Sequence, residues 1–322
     1  MMVAVGSRSG PKAQEFASKL DIPQAFDSYE ALLAAQDIEA VYIPLPNSLH
    51  MEWTIKAAEA GKHILCEKPL ALNAEECERM EAAARANGVK LMEAFMYRFH
   101  PRTEQVLRMI DSGELGELRL IHAAFTFRLT RPDNIRLQPE LGGGAPMDVS
   151  CYCVNICRTA AGVEPLEVQA LANWSPSGVD EQLTGTLRFP KGLSAQFDCA
   201  LSMERREEVT LAGTQAFLHV RAAFLPGTEA ASIRVVRGRQ RETVQTIPGT
   251  DEYQRMVEHF GECILTDQPI RYPAAEAVAN MRVIQALYRS AREQGKAVAV
   301  STLTMSHCHN VTLAQIVVKP SE

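Results

Sequence analysis

Two stretches of this 322-residue chain carry side chains of the types that move protons and hold hydroxyls. The first is Glu67-Lys68-Pro69, where the apolar run Ile64-Leu65-Cys66 stops against an acid and a base. A proline restricts the residue before it to extended backbone, which aims the Lys68 side chain. An ammonium held there can donate to a substrate oxygen, with Glu67 close enough to influence its charge. A polar turn at the end of a strand accounts for the same residues equally well. The second stretch is LGGGAPMDVSCYC, residues 141–153. Its three glycines allow close backbone approach, and Asp148 and Tyr152 stand four apart on one helical face. A carboxylate and a phenol one turn apart can hold a sugar hydroxyl and exchange its proton. They can also be a first-turn aspartate serving the helix dipole and a core tyrosine.

The elements around these residues decide where they sit. Residues 1–95 alternate strand-like and helix-like segments: VAV (3–5), a helix entered through Pro11, EAVYI (39–43), a helix over 49–60 stopped by Gly61, KHILC (62–66), a helix capped by Asn73 with Glu76 three residues on, and VKLMEAF (89–95). Proline in the first turn, glycine past the end and the Asn/Glu pair are the expected helix punctuation. Strand–helix alternation at this spacing implies parallel βαβ units with right-handed crossovers. After Pro101 the pattern changes to a short helix, a long alternating strand over 116–127, a helix near 146–161 and a series of strand runs between 165 and 247 broken by Pro/Gly turns. Two helices follow, over 251–266 and 274–295. The fold class is therefore α/β, with an N-terminal Rossmann-type parallel sheet and a C-terminal α+β domain on a mainly antiparallel open sheet. The expected boundaries are 1–97, 98–300 and an atypical tail over 301–322. In open parallel sheets ligands sit at the carboxyl ends of the strands, which here are GSRSG (6–10), PLPNSLH (44–50) and EKPL (67–70).

Composition narrows the function. A net charge of −6 gives no basic face for nucleic acid, and no apolar stretch approaches the roughly 20 residues of a membrane helix. The opening MMVAVGSRSG lacks the pattern of a secretory signal, so a cytoplasmic location is expected. The cysteines, including the CYCVNIC cluster at 151–157, lack the pairing or nearby histidines of a zinc site and read as small buried thiols, so no metal is expected.

Taken in order, GSRS (6–9), PNSLH (46–50), CEKPLALN (66–73), EAFMYRFHP (93–101) and GGGAPMDVSCYCVN (142–155) resemble the Gfo/Idh/MocA oxidoreductases, especially the branch with glucose–fructose oxidoreductase, dihydrodiol dehydrogenase and NADP-dependent xylose dehydrogenase. The similarity runs from about residue 2 to 300. It implies hydride transfer between a nicotinamide and a carbinol carbon of a sugar or cyclic diol. Lys68 would be the catalytic lysine, Asp148 would orient substrate hydroxyls, and Tyr152 would be the acid/base where many members carry histidine. Ser7 and Arg8 would flank the adenosine ribose. Pro46, Asn47 and His50 would line the nicotinamide side, with Glu67 and Arg98 also near the cofactor. A homo-oligomer, dimer or tetramer, through the C-terminal sheet is implied as well. An unperturbed tyrosine titrates near about 10, so Lys68 is expected to lower the Tyr152 phenol for base work. No acid ends the strand before Ser7, and Ser7, Arg8 and Lys12 offer donors that suit a ribose 2′-phosphate, favouring NADP over NAD. A solvated basic turn is the other reading of those residues.

The family pattern opens with a strand and a GxGxxG turn that cradles the pyrophosphate. No such strand and turn precede VAV here, so the parallel sheet is expected to be truncated, lacking its central strand and exposing two strand edges. The tail run TLAQIVV (312–318) is apolar enough to be a strand. The expected function is an NAD(P)-dependent oxidoreductase of sugars or diols; the alternative is a catalytically impaired paralogue acting as a sugar-binding or protein-interaction module.

Overall fold

A computed structural model describes residues 2–131, 133–239 and 241–300. The tail and its TLAQIVV run lie outside the described residues. The chain opens with β1 (Ala4–Gly6), α1 (Gly10–Lys19), β2 (Gln24–Phe26), α2 (Tyr29–Ala34), β3 (Ala40–Ile43), α3 (His50–Glu59), β4 (His63–Cys66), α4 (Ala74–Ala86) and β5 (Leu91–Glu93). The expected punctuation is in place: proline opens α1, Gly61 takes a positive φ after α3, and Asn73 accepts from the Glu76 amide at 2.8 Å. The Glu76 carboxylate reaches back to the Leu72 amide at 3.1 Å, one residue before the cap itself. Three-residue β2 carries too short a period to be read from sequence.

These strands form two parallel sheets, β1–β2 and β3–β4–β5. Among the described residues no strand pairs with the second edge of β1 or of β3. The burial pattern follows from it. No residue of β1 or β2 is fully buried, and Tyr42 on β3 is 46% exposed. By contrast β5 is buried throughout, and so are the last three residues of β4. The covered side of β5 meets Pro273 in an isolated antiparallel bridge.

The second half comprises α5 (Pro101–Asp111), β6 (Leu118–Arg128), a π-helical turn over Pro146–Ser150 running into α6 (Cys151–Ala161), β7 (Glu167–Trp174), β8 (Asp180–Arg188), β9 (Ser194–Ala200), β10 (Ser202–Gly213), β11 (Phe217–Arg221), β12 (Ala231–Arg237), β13 (Arg241–Ile247), α7 (Glu252–Leu265), α8 (Ala274–Arg292) and β14 (Val298–Ala299). Nine strands join in the order β13-β12-β11-β10-β6-β9-β8-β7-β14, all pairs antiparallel except β6 with β9. Period-2 alternation sends Ala195, Phe197 and Cys199 of β9 inward, while Gln196 is exposed and Asp198 half-buried. The inward set packs under α6 and α8, with Ile121, Leu187, Leu211 and Leu218 wholly buried. Each such side chain contributes about 1.5–3 kcal/mol by leaving water. α8 also grips α4 of the first half: Gln285 accepts from the Ala74 amide at 3.1 Å, and Arg282 pairs with Glu78 at 2.5 Å. That contact holds the two groups of chemical residues against each other.

Candidate active site

The end of β4 and the start of α6 meet at one ion pair. Lys68 Nζ donates to Asp148 Oδ1 at 3.1 Å and to the Asp148 carbonyl at 2.8 Å, although the two residues are 80 apart in sequence. The strand end is fixed by backbone: Glu67 N donates to Ile43 O, and Leu70 N donates to the Glu93 carboxylate at 2.8 Å. The Lys68–Pro69 peptide is cis. Glu67 accepts from the Tyr42 hydroxyl at 2.5 Å and from the Lys68 amide at 3.2 Å, so it belongs to the rim of the same site.

Asp148 is held on both oxygens. Arg136 Nε donates to Oδ2 at 2.6 Å, opposite Lys68 on Oδ1. Burial works against the ionised carboxyl, yet the adjacent ammonium and guanidinium outweigh it and hold Asp148 below the usual carboxylate range. Burial likewise opposes the Lys68 charge, and Asp148 more than offsets it, so that pKa is raised. The site therefore presents a fixed carboxylate and a fixed cation at every ordinary pH. Asp148 is positioned by its amide, which donates to Gly144 O at 3.2 Å.

Tyr152 lies beside this pair, 5% exposed, with its hydroxyl donating to Met96 Sδ at 3.4 Å. Phe95, Tyr97, Phe125 and Phe224 surround its ring. Lys68 Nζ stands 4.9 Å from the ring centroid, over the face of the phenol. This corrects the expectation that Lys68 lowers the phenol: burial dominates, and Cys151 and Glu67 add to it, so the pKa lies well above the ordinary tyrosine value. Tyr152 is thus a hydrogen-bond donor with a cation against its π-face.

The remaining expected residues divide by place. Asn47 Nδ2 donates to Gly142 O at 2.9 Å and so ties the loop after β3, with Pro46, to the glycine run. His50 is fully buried; its ring nitrogens face Pro69 O at 3.0 Å and Leu45 O at 2.8 Å, so its side chain clamps two loops together instead of lining an open surface. Burial lowers its pKa. Arg98 is 5% exposed, stacked 3.5 Å over the Tyr272 ring and 3.6 Å from Glu276, with Nε unpaired. Ser7, Arg8 and Lys12 lie apart from this cluster, around the start of α1. There Ser7 Oγ accepts from Ser9 N at 3.2 Å, and Arg8 and Lys12 are exposed. The N-cap Ser9 makes no side-chain hydrogen bond, so no side chain caps the first α1 amides.

Sequence reasoning missed Arg136. Of the other arginines in the 125–140 stretch, Arg128 is exposed and Arg131 pairs with Asp133 at 3.0 Å. Nothing in an irregular loop signals which arginine turns inward. Tyr253, at the start of α7, is 47% exposed, and its phenol is pushed up by burial, Glu252 and Glu67. The cysteines of α6 are buried free thiols, as read from their burial habit, and Ser150 hydrogen-bonds Cys199. Among the described residues no cluster could hold a metal ion, and no helix is long and apolar enough to cross a membrane.

The residues present fit a phosphorylated nicotinamide dinucleotide at its two ends. β1 itself carries no carboxylate, and Ser7, Arg8 and Lys12 follow it at the start of α1, where the nearest acid is Asp27 against Gly10. At the other end Lys68, Glu67 and Asn47 border the strand ends where a nicotinamide belongs.

Comparison with known proteins agrees. Residues 1–95 match the family profile described as "Oxidoreductase family, NAD-binding Rossmann fold", and residues 103–219 match the GFO/IDH/MocA C-terminal domain. The chain is 38% identical over 296 residues to D-xylose 1-dehydrogenase (NADP(+)) 2 of Haloferax volcanii, covering 92% of this chain and 90% of that one. It is 34% identical to trans-1,2-dihydrobenzene-1,2-diol dehydrogenase of Bos taurus, covering 75% and 71%. Among solved structures, KijD10, a 3-ketoreductase from Actinomadura kijaniata in complex with NADP and TDP-benzene, superposes with a TM-score of 0.85 at 28% identity, covering 90% of this chain and 89% of that one.

Proposed function

Because the chain belongs to the Gfo/Idh/MocA oxidoreductases, and so to the NAD(P)-dependent dehydrogenases and reductases, we propose that it interconverts a secondary alcohol of a sugar or cyclic diol with its carbonyl, using NADP. The observation that carries this reading is the junction of Lys68, Asp148 and Tyr152 from two distant parts of the chain. A bound nicotinamide supplies the hydride donor or acceptor. Tyr152 gives its hydroxyl proton to the oxygen that gains charge during reduction, and receives it back during oxidation. Its raised pKa makes it a competent acid at neutral pH and a base only where the substrate proton is strongly polarised. Lys68 supplies that polarisation as a cation locked in place before substrate arrives. Asp148, ionised and held on both sides, accepts from neighbouring substrate hydroxyls and fixes the carbinol carbon. The proximity of Arg136 to Asp148 suits a substrate rich in oxygen atoms.

Ser7, Arg8 and Lys12 hold the 2′-phosphate in this reading, and the chain works as a homo-oligomer through the open face of the nine-stranded sheet. That face carries a cross-strand polar series, His122 with Asp198 at 3.3 Å and His219 with Glu208 at 3.1 Å, joined by Arg206. The test is calorimetric binding of NADPH and NADH to the chain and to a Ser7→Ala/Arg8→Ala double variant. NADPH should bind more tightly than NADH by about ten-fold or more, and the double variant should erase the difference, since each lost charged contact costs about 1.5–3 kcal/mol. Equal affinity for both nucleotides in the unaltered chain would contradict the assignment.

A further inference from the structure

Asp148 and the arginine that holds its Oδ2 meet at one glycine. Gly144, at φ +113°, donates its N–H to Arg136 O at 2.8 Å and accepts from Asp148 N at 3.2 Å. Arg136 and Asp148 are therefore placed by the same backbone unit. Directly behind it stand Asp180, the first residue of β8, and Tyr288 of α8. A Cβ added at Gly144 would overlap Asp180 Oδ1 and come within 3.4 Å of the Tyr288 hydroxyl. Tyr288 donates to Asp180 Oδ1 at 3.2 Å, while Oδ2 is buried with no partner and the residue is 2% exposed. An unpaired buried carboxyl oxygen costs stability, and here it is spent against the backbone of the site. Burial pushes this carboxyl up to about 7.

We propose that Asp180 is a positioning residue: with Tyr288 it backs Gly144, and through the two backbone hydrogen bonds of Gly144 it sets where Asp148 and Arg136 stand relative to Lys68. The proposal rests on the reading of that cluster as the active site, but its main test does not. Amide hydrogen exchange would be followed by mass spectrometry on the full chain and on Asp180→Ala, Asp180→Asn and Tyr288→Phe. Asp180→Ala should speed exchange in peptides covering 136–148 by about ten-fold while peptides from β6 and β9 stay unchanged. Asp180→Asn keeps the shape and an oxygen for Tyr288, and should stay within about two-fold. Should the alanine variant fail to fold, Tyr288→Phe removes the one hydrogen bond and should give about three-fold faster exchange in the same peptides. With D-xylose and NADP as probes, Asp180→Ala should raise KM about ten-fold while NADPH affinity stays unchanged, and Asp180→Asn should restore KM. Exchange unaltered over 136–148, or raised evenly through the sheet, overturns the proposal. If the unaltered chain fails to turn over D-xylose, D-xylose is not its substrate, while the exchange result still decides the role of Asp180.

Discussion

The two halves of the molecule solve the same problem, burying a sheet, to different degrees. The nine-stranded sheet is continuous, and its inner face carries side chains such as Ile121, Leu211, Leu218 and Ile233 with no exposure at all. The N-terminal strands lie in two separate parallel sheets; β1 and β2 are only half-buried, and Val3 and Tyr42 are 42% and 46% exposed. Parallel strands are stable when covered on both faces and paired along both edges. Apolar burial, which dominates stability, is therefore concentrated where Asp148 and Tyr152, the residues proposed to meet the substrate, are anchored. The residues assigned to the adenosine end, Ser7, Arg8 and Lys12, stand on the less covered β1 and α1. Lys68 bridges the difference: it hangs from the well-covered β4 and is fixed by Asp148 of the other half.

The contrast can be broken directly by core truncation. Phe224, fully buried among Tyr97, Phe125 and Tyr152, should cost about 3–5 kcal/mol when replaced by alanine, whereas Val5→Ala on half-buried β1 should cost under about 1 kcal/mol. Urea unfolding measures both, and equal losses would show that burial is shared evenly between the halves.

A smaller effect sharpens the picture at the seam. Glu93, at the end of β5, has its carboxyl pushed up to about 7 by burial, against 4.5 ordinarily. The folded state then keeps a proton that the unfolded chain gives up. This contribution is fully present below pH about 4.5 and is lost as pH rises through about 7, at most on the order of 3 kcal/mol. Glu93→Gln should flatten that part of the stability–pH curve. A variant whose stability falls between pH 5 and 7 as steeply as the unaltered chain would remove Glu93 as the cause.

Much of this was legible in the sequence, and the parts that were not share a reason. Helices announced themselves through local chemistry, as with Pro11, Gly61 and Asn73, because a cap or stop needs only its immediate neighbours. The long C-terminal strands were readable because one face of each is buried and alternation persists over many residues. Three-residue β2 and two-residue β14 have no period to show. The resemblance pointed to Lys68, Asp148 and Tyr152, yet not to the state of the phenol, since the four aromatic residues that desolvate it come from three separate segments. Arg136 and Asp180 were unreadable because each acquires its role only through a contact made by the folded loop, at Asp148 and at Gly144. His50 was read as a cleft residue, but its two carbonyl partners make it an internal clamp.

The most direct test is NADP reduction with a panel of aldoses and cyclic diols by the chain beside its Tyr152→Phe variant, with NADPH binding measured on both. The account predicts turnover by the unaltered chain and a loss of about 10²–10⁴ in kcat for the variant at unchanged NADPH affinity, the range expected when one positioned acid/base is removed. Equal turnover by the two proteins would contradict the role given to Tyr152 and, with it, the proposed chemistry of the Lys68–Asp148 junction.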